Sequence, residues 1–143
     1  MTKRFFGLFA LAVLVVSVAA PLSAQSVRLT AKVPFEFTVG NQTLPAGEYA
    51  LQTPSSSYLV QIRNMSTHAG VIAMTGSANS GIANLAGSPR LVFNKYGDRY
   101  VLHQIWDGAS HLGHELPVTR AERELTKTAS VDKIEIVAML TNR

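Results

Sequence analysis

From Val33 onward, apolar and polar side chains alternate with a period of two over most of the chain. Phe35, Phe37 and Val39 alternate with Glu36 and Thr38, which predicts a strand with one buried and one wet face. Gly40-Asn41 supplies a turn pair able to take positive φ. Leu44-Pro45-Ala46-Gly47 then sets Pro and Gly at the second and fourth positions that a type I turn favours. Tyr49 and Leu51 resume the alternation. After the turn Pro54-Ser55-Ser56-Ser57, Tyr58, Val60 and Ile62 form the expected inner set of a third strand, with Gln61 and Arg63 outside. Val71 to Thr75 predicts a fourth.

The pattern lapses over residues 76–88, which are almost wholly Gly, Ala, Ser and Asn, and a loop of about a dozen residues is expected there. Small side chains offer little contact chemistry, so the expected loop reads more naturally as a connection than as a lid. Arg90 to Lys95, the turn Tyr96-Gly97-Asp98, and Arg99 to Trp106 then read as a hairpin of two β-rich strands. Leu91, Val92, Phe93, Val101, Leu102, Ile105 and Trp106 populate both faces of that hairpin. A central position, covered on both sides, accounts for this.

At Thr119-Arg120-Ala121-Glu122 the period changes to that of a capping box, which opens a helix of about eight residues. The threonine hydroxyl takes an orphan amide and the glutamate reaches back to the cap. Ala121 and Leu125 are expected to face the sheet, with Arg120 and Glu124 paired outside. A last strand from Asp132 to Leu140 carries Ile134, Ile136, Ala138 and Leu140 on one face. The inventory is seven or eight strands and one short helix before the last strand. It predicts a mainly β fold, an antiparallel β-sandwich or partly open barrel.

The chain's start has a different grammar: Lys3 and Arg4, an apolar run from Phe5 to Ala20, then Pro21-Leu22-Ser23-Ala24. Sixteen residues at about 1.5 Å each reach roughly 24 Å, short of the ~30 Å hydrocarbon core of a bilayer. Residues 1–24 are therefore read as a cleavable signal peptide for the general secretion route. Residues 25–143 form a single β-rich domain that is periplasmic or extracellular, with no stable membrane insertion after cleavage. No cysteine follows the leader, so no lipid-modified N-terminus is expected.

Removing 24 of the 143 residues leaves 119, enough for one core of ordinary size. Of the 13 basic residues Lys3 and Arg4 belong to the leader, leaving 11 against 9 acidic ones and a net charge of +2. Thinly spread basic residues without interleaved aromatics argue against a nucleic-acid partner. An exported domain without cysteine relies on packing rather than cross-links, which suits a bacterial envelope better than a small eukaryotic secreted domain.

Four stretches carry a resemblance: Val33-Pro34-Phe35-Glu36-Phe37-Thr38-Val39-Gly40, Leu44-Pro45-Ala46-Gly47-Glu48-Tyr49, Tyr96-Gly97-Asp98-Arg99-Tyr100, and Glu115-Leu116-Pro117 followed by Arg120-Ala121-Glu122-Arg123-Glu124. Together they resemble a family of small, exported, β-rich proteins of soil-dwelling Gram-negative bacteria. The resemblance spans most of the domain and implies no activity, because none is assigned to that family. The Leu-Pro-Ala-Gly-Glu-Tyr stretch alone also resembles turns of transthyretin-like and other exported sandwiches.

Candidate chemistry is sparse. His103, Asp107, His111, His114 and Glu115 are of the ligand types that zinc or copper uses, yet their spacing fits no helix face and two of the histidines fall in an expected loop. Gly108-Ala109-Ser110-His111-Leu112 breaks the serine-hydrolase elbow at its last position. Glu122 and Glu124, beside Arg120 and Arg123, read as a solvated charged face rather than a glycosidase pair. Asp98 and Arg99 are expected to fix the hairpin tip and dock the helix. Trp106, Tyr96, Tyr100 and Tyr58 are the residues of a conceivable binding platform, against the plainer role of cross-strand packing. No catalytic, cofactor-binding or metal residue is assigned. The expectation is a noncatalytic binding or structural module that contacts a protein, peptide or glycan of the envelope. A small-barrel carrier of an apolar ligand and a metal-dependent enzyme are the alternatives.

Overall fold

The computed structural model describes residues 26–54, 58–79, 88–108 and 112–141. The leader, residues 80–87 of the expected loop, and Ser110 and His111 lie outside the described residues. Strands β1 (Ser26–Val33), β4 (Gly47–Pro54), β5 (Leu59–Asn64), β6 (Gly70–Met74) and β12 (Met139–Leu140) form one sheet in the order β12-β1-β4-β5-β6. The second sheet runs β11-β8-β9-β10-β7, from β7 (Gly76–Asn79), β8 (Arg90–Tyr96), β9 (Arg99–Trp106), β10 (Leu112–Glu115) and β11 (Val131–Val137). Strands β2 (Phe37–Val39) and β3 (Gln42–Leu44) join it through a parallel pairing of Thr38 with Val101, beside β10 on the same side of β9. All other pairings are antiparallel, and the sheets stack as a sandwich rather than closing into a barrel.

The alternation explains the stacking. Leu29, Ala31, Val33, Tyr49, Leu51, Val60 and Ile62 point inward from the first sheet, and Phe37, Val39, Leu91, Phe93, Leu102 and Ile105 from the second. Phe93 meets Phe35 and Phe37 edge-on at centroid distances of 5.2 and 5.4 Å, and Phe37 meets Tyr49 at 5.1 Å. These aromatic contacts join the two layers. The central place of β8 and β9 is as expected, and β9 adds a bulge. Phe93 lies opposite Leu102 but Val92 lies opposite Gln104, so His103 is the extra residue and both Leu102 and Ile105 face inward although three apart.

Among the described residues the strand count exceeds the expected seven or eight, because the structure adds β1, β3, β7 and β10 and divides the expected last strand into β11 and β12. Ala78 of β7 is fully buried in a small second cluster with Val92 and Trp106 on the outer face of the second sheet, which turns the start of the expected loop into a strand. Likewise β10 occupies part of the expected loop after Gly108, and its Gly113 leaves room for the Trp106 ring. Residues 132–140 are two strands. β11 pairs with β8 in one sheet and β12 with β1 in the other, so the chain crosses the sandwich at buried Ala138.

Helix α1 (Arg120–Leu125) is shorter than expected but starts at the expected cap, where the Glu122 amide donates to Thr119 Oγ1 at 3.1 Å. Its orientation differs from the prediction. Ala121 is exposed, whereas Glu122 is buried and accepts from Tyr96 OH at 2.9 Å and Asn94 Nδ2 at 3.1 Å. Tertiary hydrogen bonds have taken the carboxyl group that a capping box would turn back on the cap. Glu124 pairs with Lys127 at 2.9 Å instead of Arg120. The helix is thus docked on β8 by Glu122, not by Asp98 or Arg99.

Candidate functional site

The strongest candidate is set by sheet order rather than by reactive side chains. Among the described residues the outermost strands are β12, β6, β11, β7 and β3, and β1 is also an edge beyond Leu29 and Thr30, which β12 pairs, where it carries Arg28 and Lys32. β12 has two residues and β3 three, β7 is four small or polar residues, and β11 carries Asp132, Lys133 and Glu135. Short length and charge are the usual guards against unwanted pairing. β6 has neither. It is Gly-Val-Ile-Ala-Met, five residues without charge or proline, with Ile72 66% and Met74 71% exposed.

Register fixes which side chains go where. Ile72 lies opposite Gln61 and Met74 opposite Leu59, on the outer face, where Leu59 is also exposed. Val71 and Ala73 lie opposite the buried Ile62 and Val60 and face inward, yet they are only half-buried. The reason is a groove of about 440 Å³ beneath β6, floored by the buried Val39 and Leu116 and bounded by Gln42 and Pro117. A second cleft of about 300 Å³ shares Met74, Leu116 and Pro117 with it and continues toward Gly76 and Glu115.

Both ends of β6 are held firmly. At its start, buried Asn64 accepts from the amides of Ser66 and Thr67 through Oδ1, each at 2.9 Å, and this turn places His68 at φ +59°. Gly70 has no room for a side chain, because a Cβ there would lie 2.6 Å from the Ile62 carbonyl oxygen. At its end, Thr75 donates from both its amide and its hydroxyl to the Tyr58 carbonyl, at 2.6 and 3.2 Å. Thr75 Oγ1 also lies 3.2 Å from His114 Nδ1, where the imidazole tautomer decides which of the two donates. The Thr75–His114 pair braces the turn from β6 into β7. Burial pushes the His114 pKa below its ordinary 6.5, and the charge of Asp107 opposes this more weakly. The unfolded chain then binds a proton that the folded chain resists, so His114 lowers stability as pH falls through 6.5 and below. We expect His114→Gln to flatten the acid limb of a stability-against-pH curve measured by denaturant unfolding; an unchanged limb would show that other groups set it.

The other sequence candidates are dispersed. Among the described residues no three His, Asp or Glu side chains converge as a metal site, and His111 lies outside them. Glu115 accepts from Gln104 at 3.0 Å, and Trp106 Nε1 donates to Gln104 at 3.3 Å. Trp106 is buried, with the Arg90 guanidinium 5.1 Å from its ring centre, and Tyr96 is buried against Glu122. Tyr100 stacks on Phe35 at 3.8 Å. Tyr58 corrects the expected inner set: it is 65% exposed and Asn64 takes the third inward position, because the strand begins only at Leu59. The platform tyrosines and tryptophan thus do not form one surface. Asp98 and Arg99 instead border a polar cleft of about 360 Å³ with Phe35, Glu36 and Tyr100, where the first and third quoted motifs meet. Among the described residues no helix is long and apolar enough to cross a membrane.

The signal sequence reasoning missed is the bareness of β6. Its composition is legible from residues 70–74, but its place at an edge depends on the order of strands far apart in sequence. No protein-family model, curated protein or solved structure matches this chain.

Proposed function

We propose that this chain is an exported, noncatalytic binding module that receives an extended polypeptide segment along β6. The observation that carries the reading is the contrast between edges: β11 is charged and β12, β7 and β3 are short, while β6 presents an uncharged edge above an apolar groove. An added strand satisfies its own backbone groups by pairing with β6, and its alternate side chains enter the groove. The basic and apolar leader pattern of residues 1–24 supports action outside the cytoplasm, and the likeness of the four motifs to an exported family agrees with it. A protein or peptide of the envelope is the partner class that this geometry favours over a glycan.

The reading is tested by site-specific photo-crosslinking in the exporting cell. A photoreactive side chain at Ile72 is expected to trap a partner, whereas one at Lys133 on β11 is not. Ile72→Lys places an ammonium on the edge and is expected to abolish capture while changing stability by less than about 0.5 kcal/mol, because the position is exposed. Equal trapping at both edges, or capture that survives Ile72→Lys, contradicts the reading.

A further inference from the structure

Resting on that reading, we propose that the segment β6 receives is an uncharged strand with large apolar side chains at every second position. Two observations select it. The first is charge. Val39, Gly40, Asn41, Gln42, Leu116 and Pro117, like the β6 residues above them, carry no charge; among the described residues the ionisable groups nearest the groove are Glu115, in the adjoining cleft, and His114, which contacts Thr75 at the end of β6. A cation or carboxylate on the inward side of the added strand would lose its water and find no counterion along the groove. The second is volume. About 440 Å³ lies beneath the edge and continues into a further 300 Å³, which is space for more than one large side chain.

Volume also decides against a second copy of this chain as the occupant. Two β6 strands paired about a two-fold axis would each send only Val71 and Ala73 inward, and the two grooves would then merge into one poorly filled space. A strand with leucine- or phenylalanine-sized residues in alternation fills the groove from above without moving Val39 or Leu116. Backbone pairing with β6 is largely indifferent to sequence, so the inward side chains set the preference.

The test uses the exported protein and short capped peptides alternating threonine with leucine, alanine or glutamate, each N-methylated along one edge to keep it monomeric. The leucine peptide is expected to protect the amides of β6 from hydrogen exchange and to shift the resonances of Val39 and Leu116. The alanine and glutamate peptides are expected to bind at least about tenfold more weakly. A leucine peptide methylated on both edges is expected not to protect β6. If all three singly methylated peptides bind at β6 within tenfold of one another, the inference fails while the edge reading stands. If none alters β6 exchange, or the doubly methylated peptide protects it equally, both fail. A protein that is already dimeric without peptide, and that Ile72→Lys renders monomeric, would assign the edge to a second copy and overturn the proposal.

Discussion

Phe93→Ala lowers the unfolding free energy by about 3–5 kcal/mol, seen as a fall in the denaturant midpoint at an unchanged slope. Phe93 is fully buried in the central strand β8, and its ring is the common neighbour of Phe35 and Phe37. Removing it deletes apolar burial and also leaves a void that a sheet paired on both sides is poorly able to collapse, since β8 is held by β11 and β9 along its length. Phe37 in turn contacts Tyr49 of the other sheet, so the loss reaches the joint between the layers. Without cysteine in the chain, no cross-link limits the damage. A loss below about 1 kcal/mol would mean that the aromatic cluster is not the main joint of the sandwich.

Glu122→Ala is expected to cost about 3 kcal/mol, because it strands two buried donors at once. Tyr96 OH and Asn94 Nδ2 both give their protons to Glu122 Oε1, and Asn94 Oδ1 is already buried without a partner. The substitution has a spectroscopic signature as well. Tyr96 is pushed up to about 12, first by burial and then by its hydrogen bond to Glu122 and the charge of that group, against a weaker opposing effect of Asn94. In Glu122→Ala the ultraviolet titration of this phenol should move down from about 12 yet stay above the ordinary 10, since burial remains. The linkage sign follows. The unfolded chain gives up the phenolic proton first, so the native protein loses stability as pH rises from 10 toward 12. Glu122→Gln keeps an acceptor without the charge and should recover part of the stability. An unmoved Tyr96 titration in Glu122→Ala would show that burial alone sets it.

How far the fold is legible in the sequence depends on the range of the interaction involved. The β8–β9 hairpin is predicted within a residue because Gly97 takes φ +60° in a two-residue turn, a local requirement. The helix start is equally local, set by the Thr119 hydroxyl. β1 was legible in principle, since Val27, Leu29, Ala31 and Val33 alternate, but the leader draws attention away from the residues that follow it. The face of α1 was not legible. Glu122 turns inward because Asn94 and Tyr96, 28 and 26 residues away, offer donors there, and no helical period announces that. The bulge at His103 likewise breaks the alternation of β9, so that Leu102 and Ile105 share the inner face although three apart, while the central position covers Trp106 on the outer face.

The candidate site was less legible still. Sequence reasoning weighed histidines, carboxylates and aromatics, because those residue types advertise chemistry. Strand β6 advertises none. Val71, Ile72 and Ala73 would look like ordinary sheet interior had another strand followed β6 in the sheet. Thr75 sends the chain across to β7 instead, and that single turn leaves the edge open.

The crossing at Ala138 bears on when the domain is able to form. β12 pairs with β1 through Leu29 opposite Leu140 and Thr30 opposite Met139, and the hydroxyls of Thr30 and Thr141 meet at 3.3 Å. The contact between Thr30 and Thr141 spans 111 residues, so segments far apart in the chain close one side of the sandwich together. Closing a loop of that length costs more chain entropy than closing the β8–β9 hairpin, whose ends are a few residues apart. The clasp between β1 and β12 is therefore expected to form after the local hairpins, joining two sheets that are already paired within themselves.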